Sequence, residues 1–141
     1  MREKGYTLVE VVITCLLVIG AAGYGLNGLD GMARQHYLQA ACQGLSSDLS
    51  RARVAAISGN LPVTVAIRQD RRAYSVTEPG EKQRWRELPR GVSFASFPKT
   101  NLTFYSRGSA VPAATYVMAN KAGEIRVVVS ASGRVRWSRD E

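Results

Sequence analysis

Histidine occurs once in the 141-residue chain and cysteine twice. That leaves no material for a His/Cys zinc site or for a disulfide framework. Cys15 and Cys42 stand 27 residues apart, about 40 Å along a helix, so they do not pair within one chain. Both read as small packing residues, with an intermolecular bond through Cys42 left open. His36 has no Ser, Cys or carboxylate motif around it and reads as a solvated helical residue. Phosphate loop, nucleophile elbow and metal-ligand spacing are all missing. No catalytic residue, metal ligand or cofactor is therefore expected, and the chain does not read as an enzyme. Acidic residues are scarce as well: 11 Asp and Glu stand against 19 Lys and Arg, for a net charge of +8. That surplus suits polyanions, whether nucleic acid, anionic lipid or an acidic protein face. The length is that of one domain and excludes a multidomain machine or a large barrel enzyme.

What the chain does have is one long apolar run. Residues 6–26 read YTLVEVVITCLLVIGAAGYGL, with Glu10 their single charge. As a helix they span about 30 Å, enough to cross a bilayer. Arg2 and Lys4 precede the run, so the positive-inside rule places that end in the cytoplasm and everything after about residue 27 outside it. The alternative is an ordinary secretory signal peptide, with Gly20-Ala21-Ala22 as its small-residue cleavage site. The very short leader and the carboxylate four residues into the run argue for a retained helix. An ionisable group there costs roughly 2.5–3.5 kcal/mol on insertion scales, and a disposable signal has no use for it.

The helical period continues beyond the apolar run. Leu38, Ala41, Cys42, Leu45, Leu49, Ala52 and Ala56 recur at spacings of three and four, which makes one apolar face. Gly59-Asn60 and Pro62 stop the helix. Gly20, Gly23, Gly25, Gly28 and Gly31 predict a loosened stretch around residues 20–31, since each costs about 1 kcal/mol relative to Ala. The remainder reads as short alternating strands: Leu61–Arg68, Ala73–Thr77, Gln83–Leu88, Val92–Phe97, Leu102–Tyr105, Thr115–Ala119, Glu124–Val129 and Arg134–Ser138. Turn signals such as Glu78-Pro79-Gly80 and Ala131-Ser132-Gly133 separate them. The expected class is α+β: a long N-terminal transmembrane and amphipathic helix packed on a small antiparallel β-sandwich.

Gly5-Tyr6-Thr7-Leu8-Val9-Glu10 resembles the class III signal of type IV pilins and type II secretion pseudopilins. Those proteins carry a short basic leader ending in Gly, an aromatic residue (usually Phe, here Tyr6), Thr-Leu, a Glu five residues after the cut, and a long apolar helix. The resemblance implies that a membrane prepilin peptidase cuts between Gly5 and Tyr6 and methylates the new amine on Tyr6. It also implies that Glu10 pairs with the N-terminal amine of a neighbouring subunit and sets the register of filament assembly. Both charges are costly in an apolar bundle, and pairing relieves both. An isolated Glu snorkelling at the membrane face is the alternative. The run from Ile125 to Arg136 is similar to the closing hairpin of the GspH/FimT branch, which implies a type IV pilin-like fold.

Gly133-Arg134-Val135-Arg136-Trp137-Ser138-Arg139 is the most informative soluble segment. On a strand, Arg134 and Arg136 share the outer face, about 6.6 Å apart, while Val135 and Trp137 face the core. Arg139 follows just past the strand end. Guanidinium groups in a row suit bidentate phosphate contacts. Gly133, Arg134 and Arg136 match the Gly-Arg-x-Arg motif of FimT-like DNA-binding pilins, so the resemblance makes them, with Arg139, candidate DNA contacts. Arginines on an edge strand also guard against aggregation, and that reading stays open. Arg68, Arg71, Arg72, Lys82, Arg84, Arg86 and Arg90 form a second basic group. Trp85 among them reads either as a base-stacking ring or, more simply, as a half-buried strand residue.

The expected organisation is a prepilin leader over 1–5, a transmembrane helix segment over 6–26, its amphipathic continuation over 27–59 and a periplasmic β domain over 60–141. The expected role is structural: a minor pseudopilin of a type II secretion pseudopilus, or a minor pilin of a type IV pilus. The implied partners are other pilin or pseudopilin subunits, the prepilin peptidase and the inner membrane. The alternative is a FimT-like minor pilin that binds DNA for uptake in natural transformation.

Overall fold

The computed structural model describes residues 7–139, without the side chains of residues 22–29. The leader, the Gly5–Tyr6 junction and the terminal Asp140-Glu141 lie outside the described residues. One helix, α1, spans Leu8–Gly59. Nine strands follow: β1 Val63–Ile67, β2 Ala73–Thr77, β3 Trp85–Glu87, β4 Ser93–Ser96, β5 Leu102–Phe104, β6 Ala110–Val111, β7 Ala114–Asn120, β8 Gly123–Val129 and β9 Val135–Arg139. The α+β class expected from the sequence is found. The chain divides into two compact units, Met1–Ala33 and Arg34–Glu141.

In the first unit, the described residues of α1 present apolar side chains to the outside. Leu8, Val9, Val11, Val12, Ile13, Leu16, Leu17, Val18 and Ile19 are all exposed. The helical backbone runs through residues 20–31 without a break, which corrects the loosened stretch expected there. Helix propagation is cooperative, and glycines lower its stability without removing a hydrogen bond. Among the described residues no helix is long and apolar enough to cross a membrane. The expected span, 6–26, includes Tyr6 and the side chains of 22–26, which lie outside the described residues.

In the second unit, residues 34–59 of α1 pack with two antiparallel sheets. One has the order β3-β2-β1-β5-β6 and the other β4-β7-β8-β9. All seven apolar-face residues of the helix, from Leu38 to Ala56, are buried. They meet Val63, Val65, Phe94, Leu102, Phe104, Tyr116, Met118, Ile125, Val127 and Val129 in a single core. Asn60 closes the helix in the left-handed region, with φ of 50°. At the β7–β8 turn, the Asn120 side-chain amide donates to the Arg34 carbonyl at 2.6 Å, which fixes that hairpin to the helix.

Strand β2 matches the expectation end to end, and the other expected strands differ by at most two residues at either end. The two-residue β6 has no counterpart among them, because it is too short to show alternation. Trp137 corrects the expected core: it is 45% exposed. Alternation does put it opposite Val127, but β9 is an edge strand and the core beneath its outer half has run out.

Candidate functional site

At the helix start, the Thr7 hydroxyl accepts the Glu10 amide hydrogen at 3.3 Å, and the Thr7 carbonyl accepts that of Val11 at 3.2 Å. Thr7 is thus the N-cap, and Glu10 sits three residues on, the position of an acidic capping residue. The Thr14 hydroxyl donates to the Glu10 carbonyl at 2.8 Å. The Glu10 side chain is exposed beside the apolar Val9 and Val11.

The arginine segment forms a tight corner before β9. The Gly133 amide donates to the Ser130 carbonyl at 2.8 Å, and the Ser130 amide to the Arg134 carbonyl at 3.0 Å. The Ser130 hydroxyl accepts the Arg134 amide hydrogen at 3.1 Å. Arg134 and Arg136 are both exposed and line one shallow groove of about 370 Å³ with Val128, Ser130 and Ser132. Arg139 lies inside β9, not past its end, and stands opposite Ile125, whereas Arg136 stands opposite Val128. The strand pleat therefore points Arg139 to the other face, and it does not join the groove.

The sequence gives no hint of the residue that builds this corner. Arg53 of α1 donates through Nε to the Gly108 carbonyl at 3.0 Å and through Nη2 to the Ser132 carbonyl at 3.2 Å. Gly133 has φ of 76°. A Cβ there would collide with the Gly108 carbonyl and lie 2.8 Å from Arg53 Nε. The glycine of the Gly-Arg-x-Arg run is thus required by the packing of the corner, whatever the arginines contact. The Ala110 amide donates to the Ala131 carbonyl at 3.0 Å and ties the same turn to β6.

The second basic group sits at the other edge of the fold, around β3. Asp48 of α1 accepts the Tyr74 hydroxyl at 2.7 Å and pairs with Arg86 at 2.5 Å. Burial, then the neighbouring Asp48 carboxylate, pushes the Tyr74 phenol well above its ordinary value. Burial alone does the same to Tyr116. Arg68 is engaged by Asp70 at 2.6 Å and Glu87 at 3.4 Å. That hydrogen bond, with one from the Arg72 amide, holds the Asp70 carboxyl below its usual range. Trp85 lies on β3 and is 40% exposed, which is consistent with the half-buried strand reading and leaves part of the ring accessible.

Of the remaining reactive side chains, Cys42 has the packing role expected of it and His36 the solvated one, whereas Cys15, expected to pack, is exposed. Cys42 is buried, and burial pushes its thiol up to about 11, so it holds its proton at neutral pH. Cys15 and His36 are exposed. Among the described residues no three His, Cys, Asp or Glu side chains gather in a way that would hold a metal ion.

The family model of type II transport protein GspH matches residues 41–133, about two thirds of the chain. Among solved structures, the type IV minor pilin FimU of Pseudomonas aeruginosa superposes with a TM-score of 0.62 at 20% identity, over 76% of this chain and 92% of that one. The minor pseudopilin EpsH of the Vibrio cholerae type 2 secretion system superposes at 0.59 and 18% identity, over 72% and 96% of the two chains. At such identities the likeness establishes the shared fold, a type IV pilin-like helix on antiparallel sheets. No curated protein sequence matches the chain.

Proposed function

We propose a filament role from one premise: the chain belongs to the type II transport protein GspH family. It is a structural subunit of a secretion pseudopilus or a type IV pilus, the assemblies that hold the proteins sharing its fold. The observation that carries the reading is the apolar stretch Leu8–Ile19. Its large aliphatic side chains are exposed around the helix, and a surface of that kind needs lipid or neighbouring helices to cover it.

Before assembly the helix crosses the inner membrane once, with the N-terminus in the cytoplasm and the β domain in the periplasm. The prepilin peptidase cuts at Gly5 and methylates Tyr6. In the filament, Glu10 neutralises the amine of a neighbouring Tyr6. The position of Glu10 supports this: it is one carboxylate on an otherwise apolar surface, close to the new terminus. Glu10→Val tests the pairing. The variant should insert and be cut normally yet be depleted from sheared filaments, and undiminished incorporation would refute it.

A second reading is favoured by the groove that Arg134 and Arg136 share. Exposed, unpaired by any acid in that groove, and next to the hydroxyls of Ser130 and Ser132, they suit a phosphodiester backbone, as in DNA capture for transformation. Gly133 shapes the corner, and Arg139, on the other face, contributes charge at a distance. Arg134→Ala/Arg136→Ala should weaken DNA binding and flatten its salt dependence. Unchanged binding would leave those arginines as an edge-strand guard.

A further inference from the structure

We propose that the β3 edge carries a second polyanion-binding surface, which takes a single nucleic-acid strand with a base on Trp85 and phosphates on Arg72 and Arg90. This goes beyond the filament role and does not use Arg134 or Arg136. Sheet order places β3 and β6 at opposite edges, and the arginine corner adjoins β6 through Ala110 and Ala131.

A cleft of about 680 Å³ opens between the β1–β2 turn and the β3–β4 connection, with Arg68, Arg72, Arg90, Asp70 and Glu87 in its wall. Arg68 bridges both acids. Arg72 and Arg90 are exposed and form no salt bridge among the described residues, and three arginines against two carboxylates leave the cleft with one net positive charge. The wall is held in place by its backbone. The Leu88 amide donates to the Arg72 carbonyl at 2.8 Å and the Phe94 amide to the Arg71 carbonyl at 2.9 Å.

Arg68 also links the cleft to Trp85, whose ring centroid lies 6.0 Å from its guanidinium carbon. That ring is 40% exposed on a three-residue edge strand, and the exposed Lys82 and Arg84 continue the positive charge past it. A basic track beside an exposed aromatic ring is how single strands are held without regard to sequence, and with Arg68 over one face of the ring a base would stack on the other. An acidic peptide would answer the arginines but leave the ring unused.

The test is binding of a labelled oligothymidylate and of a matched duplex to the full chain in neutral detergent, across a salt series. Arg72→Ala/Arg90→Ala should weaken single-strand binding at least tenfold and lower the log–log salt slope by about 1.4, two phosphates at about 0.7 each. Trp85→Ala should cost about tenfold on the single strand and little on the duplex, and Trp85→Phe should restore most of it. The same losses should appear in an Arg134→Ala/Arg136→Ala background, whether or not that pair itself binds DNA. Single-strand affinity within twofold of the parent in these variants would overturn the proposal. So would equal losses on strand and duplex for Trp85→Ala, or a polyglutamate peptide that binds as tightly and loses as much, which would identify an acidic protein partner.

Discussion

Arg53 on the helix and Gly108 in the β5–β6 turn are joined by a 3.0 Å hydrogen bond across 55 residues of sequence. The same guanidinium reaches Ser132, so one side chain gathers two turns against α1. Gly108 and Gly133 both have positive φ, and both face Arg53 closely enough that a Cβ would press on it.

The two glycines of positive φ at Gly133 and Gly80 should therefore respond differently to alanine. Gly80 has φ of 87° but open space around it. Gly80→Ala should cost about 1 kcal/mol, from backbone conformation alone. Gly133→Ala must also displace Arg53 and the Gly108 carbonyl, and should cost about 3 kcal/mol or more. Arg53→Ala loses two charge-assisted bonds and should cost about 2 kcal/mol. Thermal unfolding of the three variants checks the order.

The Asp48–Tyr74–Arg86 cluster predicts a ranking of its own. Asp48→Ala strands the Tyr74 hydroxyl, which sits in a residue only 3% exposed, and should destabilise by about 2–3 kcal/mol. Tyr74→Phe should cost about 1–1.5 kcal/mol. Arg86 is 60% exposed on its side chain, and Arg86→Ala should stay below about 1 kcal/mol. Denaturant titrations measure all three. A larger loss for Arg86→Ala than for Asp48→Ala would contradict the assignment of Asp48 as the centre of the cluster.

Much of this was legible beforehand, and the failures have physical causes. The helix face from Leu38 to Ala56 was readable because its period is local to the chain. Strand β2 was readable because Ala73–Thr77 is bounded by charged and turn residues on both sides. Trp137 was misplaced because alternation assigns a side of the sheet, not the extent of core beneath it. Arg53 was invisible because its partners lie 55 and 79 residues away and leave no local pattern. Glu10 stood out by its isolation in an apolar run; its Thr-x-x-Glu spacing from Thr7 was also in the sequence, and the hydrogen bonds at Thr7 show that the helix starts there.

Alkaline pH should unfold the β domain through its buried phenols. The phenols of Tyr74 and Tyr116 are raised in the folded state, by burial in each case. Their neutral forms are the ones the fold favours. The resulting stability is complete below the unfolded tyrosine value of about 10 and is lost as pH climbs above it. Phenolate absorbance, compared with Tyr74→Phe and Tyr116→Phe variants, should show the Tyr74 and Tyr116 phenols ionising only together with loss of circular dichroism. Reversible ionisation of these two phenols in the folded protein would contradict this.

The buried thiol offers a simple probe of the helix–sheet packing. In a Cys15→Ser chain, Cys42 should resist alkylation at pH 8, where its burial keeps it protonated. It should react once the domain unfolds. Rapid labelling under native conditions would mean that the helix face from Leu38 to Ala56 opens readily.

Intact-mass and N-terminal analysis of the chain recovered from membranes and sheared filaments tests the filament reading most directly. The predicted result is a mature chain that begins at Tyr6, carries one added methyl group and is present in the filament fraction. A chain that keeps its leader, or one cut near Ala22 and released as a free periplasmic domain, would contradict it.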